Sequence, residues 1–76
     1  MKSDATGLLR ITAFARTAGV SVRTLHLYDE RGLLAPAAIS EAGYRLYGES
    51  ELERLEHILA LRFVGFTLDQ IQALLT

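Results

Sequence analysis

Only Gly19 and Val20 stand between Ala18, which ends one amphipathic stretch, and Ser21, which begins another. This tight link constrains the fold more than any other feature. Ile11, Phe14, Ala15 and Ala18 recur at helical spacing, which predicts a first helix over Ile11–Ala18 with Thr12 as a plausible N-cap. Gly19 suits the left-handed position just past the end of that helix. Ser21 then caps a second helix, Val22 to Arg31, which Gly32 terminates. Helices this short draw their stability from packing rather than from propensity, so the two must lie against each other. A glycine-containing link of this length between them is the mark of a helix-turn-helix.

On the second helix Val22, Leu25 and Tyr28 form the inward stripe. The opposite face carries Arg23, Leu27 and Glu30, with Thr24 and His26 at its edges. An outward Leu27 among polar neighbours has two readings: it covers a nearby loop, or it meets an apolar part of a ligand. Pro36 prevents the helix from resuming after Leu33 and Leu34. Ser40 to Gly43 is polar turn material, and Tyr44-Arg45-Leu46-Tyr47 alternates in strand-forming residues. Together they predict a small hairpin with its turn near Glu41–Gly43, leaning on the helices because an isolated hairpin is not stable.

A third helix is expected from Glu49 to Val64, with Gly48 as N-cap and Glu49 and Glu51 at the positive end of the helix dipole. Leu52, Leu55, Ile58, Leu59 and Arg62 or Phe63 mark its inner face, and Gly65 ends it. Thr67 and Gln70 fit a capping box that opens a last helix, Leu68 to Leu75. The expected fold is mainly α: a winged helix-turn-helix of about four helices with a small β-hairpin wing over residues 10–76, behind a flexible leader at residues 1–9.

With no cysteine, a disulfide frame, a thiolate metal site and a cysteine nucleophile are excluded, and a reducing cytoplasm fits. No apolar run is long enough to span a membrane, and Met1 to Leu9 lack a signal-peptide pattern. His26 and His57 lie on different helices without a ligand-spaced partner, and the Glu49, Glu51, Glu53, Glu56 run reads as a solvated helix start. There is no glycine-rich phosphate loop and no nucleophile beside a base. Neither enzymatic chemistry nor a metal or cofactor is expected.

The net charge of −1 argues against a polyanionic partner until its distribution is considered. Residues 1–48 hold Lys2, Arg10, Arg16, Arg23, Arg31 and Arg45 against Asp4, Asp29, Glu30 and Glu41. The remainder holds Arg54 and Arg62 against Glu49, Glu51, Glu53, Glu56 and Asp69. Binding to a duplex needs a basic face rather than a basic total. Arg23 near a helix N-terminus can reach a base edge or a phosphate. Ser21 and the free N–H groups beside it can bind a phosphate, and Leu27 can pack on a thymine methyl. Arg45 between Tyr44 and Tyr47 offers a cation and phenol hydroxyls for a second backbone contact. Equally, the tyrosines can be core and Arg45 a surface cation, and small helix-turn-helix shapes also serve as protein-binding modules.

The run Gly19-Val20-Ser21-Val22-Arg23-Thr24-Leu25-His26-Leu27-Tyr28-Asp29, followed by Gly32-Leu33-Leu34 and Pro36, resembles the first signature of MerR-family regulators. Gly43-Tyr44-Arg45-Leu46-Tyr47 resembles their wing. Leu52 to Leu55, Arg62, Gly65-Phe66, Leu68-Asp69 and Ile71 resemble the helix pair that follows. The resemblance covers about residues 10–75. His26 after Thr24-Leu25 resembles the TipA-like branch, in which multidrug or antibiotic ligands are common, whereas Leu27 departs from the usual aromatic or histidine.

The resemblance implies the DNA-binding head of an effector-responsive regulator, dimeric on a palindromic promoter element and distorting its spacer for RNA polymerase. The DNA-contacting positions it implies are Arg23, Thr24, His26 and Tyr28 on the second helix, Tyr44, Arg45 and Tyr47 in the wing, and Thr12 at the start of the first helix. Ser21 and Leu27 join them on the physical grounds above. Family members continue into a long helix that pairs two subunits. A chain ending at Thr76 is therefore expected to be a mainly monomeric fragment, with the homodimer formed by the full-length protein in the cytoplasm, at the nucleoid. An excisionase-like architectural protein that bends DNA is the alternative on the same fold.

Overall fold

The structure, a computed structural model, describes residues 7–76. Its elements, in chain order, are β1 (Leu9–Arg10), α1 (Ile11–Ala18), α2 (Val22–Glu30), β2 (Ala38–Ile39), β3 (Arg45–Tyr47), α3 (Glu49–Phe63) and α4 (Leu68–Leu75). This is a mainly helical winged helix-turn-helix with four helices and a small antiparallel sheet.

The sheet has three strands rather than the two of a hairpin, in the order β1-β3-β2. Leu9 lies opposite Tyr47 and Arg10 opposite Leu46, while Ala38 and Ile39 lie opposite Leu46 and Arg45. The leader expected at residues 1–9 is thereby corrected at Leu9, which belongs to the fold; residues 1–6 lie outside the described residues. The same strand corrects the cap of α1. The chain arrives extended through Arg10, at φ −70 and ψ 162, so the helix begins at Ile11 and Thr12 sits exposed within its first turn.

Gly19 adopts φ 77 and donates its N–H to Ala15 O at 2.9 Å, ending α1 in the left-handed conformation that a side chain resists. Ser21 turns the chain into α2, its Oγ accepting from the Thr24 N–H at 3.0 Å. At the start of α3 the Glu51 carboxylate accepts from the Gly48 N–H at 2.9 Å. Thr67 and Gln70 close a reciprocal box at the start of α4 (Thr67 N–H to Gln70 Oε1 2.9 Å, Gln70 N–H to Thr67 Oγ1 3.1 Å). Caps of this kind are each worth about 1 kcal/mol.

One core joins the elements: Phe14 and Ala15 of α1, Leu25 and Tyr28 of α2, Leu33 and Leu34, Tyr47 of β3, Leu55 and Ile58 of α3, and Ile71 of α4. Phe14 and Tyr47 stack with centroids 4.5 Å apart and planes 13° from parallel. Burying each such large side chain stabilises by about 1.5–3 kcal/mol, which is what holds the short helices. Polar clips fix the angle between the halves. Arg54 donates from Nε to Leu33 O at 2.6 Å and from Nη1 to Leu75 O at 3.5 Å, and Arg31 meets Asp69 at 3.4 Å.

The inner face of α3 differs from expectation at its last turn. Phe63 is 91% exposed and Arg62 is also outside, while Leu61 packs against the core. Arg62 instead donates to Phe66 O at 3.1 Å and so closes the turn into α4.

Candidate nucleic-acid interface

The inward stripe of α2 determines what faces outward. Leu25 and Tyr28 are buried and Val22 packs against the core, which leaves Arg23, His26, Leu27 and Glu30 exposed on the far side. Arg23 is the second residue of the helix and has no acceptor among the described residues. Leu27 is 42% exposed. That exposure leaves part of an apolar side chain open to solvent on the outward side of α2.

Ser21 and Thr24 are committed to each other. Besides the cap, their hydroxyls lie 2.9 Å apart. That capping removes Thr24 N–H from the anion-binding set at the helix start, but the N–H groups of the first two helical residues, Val22 and Arg23, have no intrahelical acceptor. They point out of the helix N-terminus beside the Arg23 side chain.

The wing brings Arg45 to α2. Its Nε donates to Asp29 Oδ2 at 3.1 Å, in a pair whose side chains are 41% and 25% exposed. Strand alternation places Arg45 and Tyr47 on one face of β3 and Tyr44 and Leu46 on the other. Tyr47 is therefore fully buried, and its hydroxyl has no hydrogen-bond partner among the described residues. The phenol hydroxyl expected from the sequence at a DNA contact is corrected here, because the pleat that turns Arg45 toward Asp29 sends Tyr47 into the core. Burial raises the Tyr47 pKa; Asp29 adds to the shift and Arg45 opposes it. Tyr28, 6% exposed, is likewise a core residue that shows only an edge. Tyr44 is 46% exposed, and the Arg10 guanidinium lies 3.7 Å from its ring centroid.

Arg23, His26, Leu27 and Glu30 are thus exposed on the outward side of α2, Ser21 caps the helix with Thr24 half-buried beside it, and Arg45 is tied to α2 through Asp29. Tyr28 and Tyr47 form the inside of that surface, Tyr44 lies on the opposite face of the sheet, and Thr12 stands exposed on α1. Sequence reasoning missed Asp29 and Arg10. Nothing in their spacing marks them, since each matters only through a side chain on another strand or helix. Among the described residues no His, Asp or Glu cluster could hold a metal ion, and no helix is long and apolar enough to cross a membrane.

A helix-turn-helix whose second helix presents an arginine, with a basic wing clipped beside it, defines the class of winged helix-turn-helix regulators. The chain belongs to the MerR HTH family of regulatory proteins, whose pattern matches residues 9–76. It is 55% identical over 58 residues to the HTH-type transcriptional activator TipA of Streptomyces coelicolor, a match covering 76% of this chain and 23% of that protein. The fold superposes on the crystal structure of MtaN, the N-terminus of the Bacillus subtilis multidrug transporter activator. The TM-score is 0.85 and the identity 48%, covering 88% of this chain and 63% of that one. It also matches HiNmlR, a MerR family regulator lacking the sensor domain and bound to promoter DNA, with TM-score 0.81, 28% identity, and 88% and 53% coverage. The chain spans about a quarter of the length of the TipA and Mta activators.

Proposed function

We propose that this domain binds duplex DNA sequence-specifically at a promoter operator and regulates transcription, as the DNA-binding head of an effector-responsive regulator. The observation that supports this best is the outward surface of α2. Arg23 has no acceptor among the described residues and follows a helix start whose first N–H groups have no intrahelical acceptor, with Arg45 of the wing anchored to the same helix by Asp29.

In this reading α2 enters the major groove. Arg23 reaches a base edge, His26 and Thr24 flank it, and Leu27 meets a thymine methyl. Ser21, the helix N-terminus, Arg45, Tyr44 and Thr12 act on the sugar-phosphate backbone. Tyr28 and Tyr47 act from the core, by holding the recognition helix and the wing at a set angle. Two heads joined in a homodimer would read a palindrome, and distortion of the spacer, costing several kcal/mol, would be offset by wing contacts and used by RNA polymerase. The excisionase-like alternative is not favoured, because the family and the relatives are transcriptional regulators.

The test is selection of bound duplexes from a random library, followed by titration of the selected site against salt. Enrichment of one half-site sequence, with a steep salt dependence from counterion release, supports the proposal. Recovery of no preferred sequence and a flat salt profile would turn the reading toward a protein-binding module.

A further inference from the structure

Arg10 is distinguished by what holds it. Arg31 and Arg45 meet carboxylates, and Arg54 and Arg62 donate to backbone carbonyls. Arg10, by contrast, has no oxygen acceptor among the described residues. It lies over the Tyr44 ring, 3.7 Å from the centroid. The backbone sets this up. Arg10 is opposite Leu46 in the β1–β3 pair, so its side chain emerges on the same face as Tyr44, two residues before Leu46 on β3.

We propose that Arg10, laid on Tyr44, is a phosphate contact, so that the wing carries a cation on each face of its sheet, Arg10 from β1 on one and Arg45 from β3 on the other. The proposal rests on the DNA-binding reading above. A ring takes up the face of a guanidinium and leaves its N–H edge free, which is the edge that grips a phosphate. A side chain already ordered in the free protein gives up less entropy on binding than a mobile one. Both partners remain accessible: Arg10 is exposed and Tyr44 is 46% exposed. Arg45 offers an instructive contrast. Its Nε is taken by Asp29, so its charge is partly offset, whereas Arg10 carries its full positive charge into the surface.

A rival role exists. Leu46 is 6% exposed yet lies apart from the main core, and the Arg10–Tyr44 stack stands on its side of the sheet. The stack could serve only to cover Leu46. The experiment is a salt titration of duplex binding by the 76-residue chain and its Arg10→Ala, Arg10→Lys, Tyr44→Leu and Arg10→Ala/Tyr44→Leu variants, with thermal melting alongside. The expected result is that Arg10→Ala lowers the slope of log K against log salt by about one unit and Arg10→Lys keeps it. Tyr44→Leu should weaken binding in the parent and add less in the Arg10→Ala background. An unchanged slope in Arg10→Ala, with only a lowered melting temperature, would overturn the proposal in favour of the cover for Leu46. Equal losses from Tyr44→Leu in both backgrounds would overturn the part given to the ring. Salt-independent binding by the unaltered chain would defeat the DNA-binding reading itself, and this proposal with it.

Discussion

Asp29 on α2 and Arg45 on β3 meet at 3.1 Å, and this pair joins the recognition helix to the wing. The pair is partly exposed, so its contribution to stability is small, about 0.2–1 kcal/mol. Its geometric effect is larger, because it sets where the Arg45 charge stands relative to the outward face of α2.

Replacing Asp29 by asparagine separates these effects by sign. Removing a negative charge next to a polyanion should strengthen binding if Asp29 does nothing else. If Asp29 positions Arg45, the variant should bind duplex several-fold more weakly while its melting temperature stays nearly unchanged. Arg45→Ala should lower the salt slope by about one unit and keep the fold. Binding isotherms at several salt concentrations read both. Stronger binding by Asp29→Asn would remove the positioning role.

Arg23 carries the sequence preference in this account. Arg23→Ala is expected to lose discrimination at one base pair by about 1–3 kcal/mol, with a smaller loss on random duplex. It sits in the first turn of α2 with no hydrogen-bond or ion-pair partner among the described residues, so folding should be unaffected. Competition between selected and scrambled duplexes checks this. Equal weakening on every sequence would make Arg23 a phosphate clamp only.

Tyr47 yields a stability prediction with a pH signature. Its hydroxyl is buried without a partner among the described residues, so Tyr47→Phe should be neutral or stabilising by about 1 kcal/mol, and DNA binding should be preserved. The raised pKa means that the folded state favours the neutral phenol. Below the ordinary tyrosine value of about 10 both states are protonated and stability is full. As pH rises from there toward the folded pKa the unfolded chain ionises first, so stability falls. Denaturant titrations should show this alkaline loss in the parent and a smaller one in Tyr47→Phe. Weakened DNA binding by Tyr47→Phe would restore its hydroxyl as a contact.

The 76-residue chain is expected to sediment mainly as a monomer. The inner faces of α3 and α4 are spent on the core through Leu55, Ile58 and Ile71. What is left outside includes Phe63 at 91%, Val64 at 67% and Leu74 at 57%, apolar side chains suited to weak association at high concentration. Phe63→Ser should reduce that association without loss of helicity. A tight dimer in sedimentation equilibrium would contradict this, as would one that persists in Phe63→Ser.

Local chemistry made most of the fold legible in the sequence. Gly19, Ser21, Thr67 with Gln70, and the spacing of Ile11, Phe14, Leu25, Tyr28, Leu55 and Ile58 act within a turn or two of the chain, so helix positions and inward faces follow from neighbours alone. The outward set on α2, Arg23, His26 and Leu27, was legible for the same reason. What lay beyond reach depends on residues far apart in the chain. β1 exists only because β3 offers an unpaired edge to Leu9 and Arg10, and that pairing puts Arg10 rather than Thr12 at the N-cap of α1. Phe63, at the last turn of α3, is left exposed while Leu61 packs against the core. The fates of Tyr44 and Tyr47 were decided by the pleat of β3 against Phe14: one phenol is stacked in the core, and the other is left outside to carry Arg10. A periodicity states which residues share a face. Only the packing of that face against another element states which side is buried, because burial belongs to the pair of surfaces and not to either one alone.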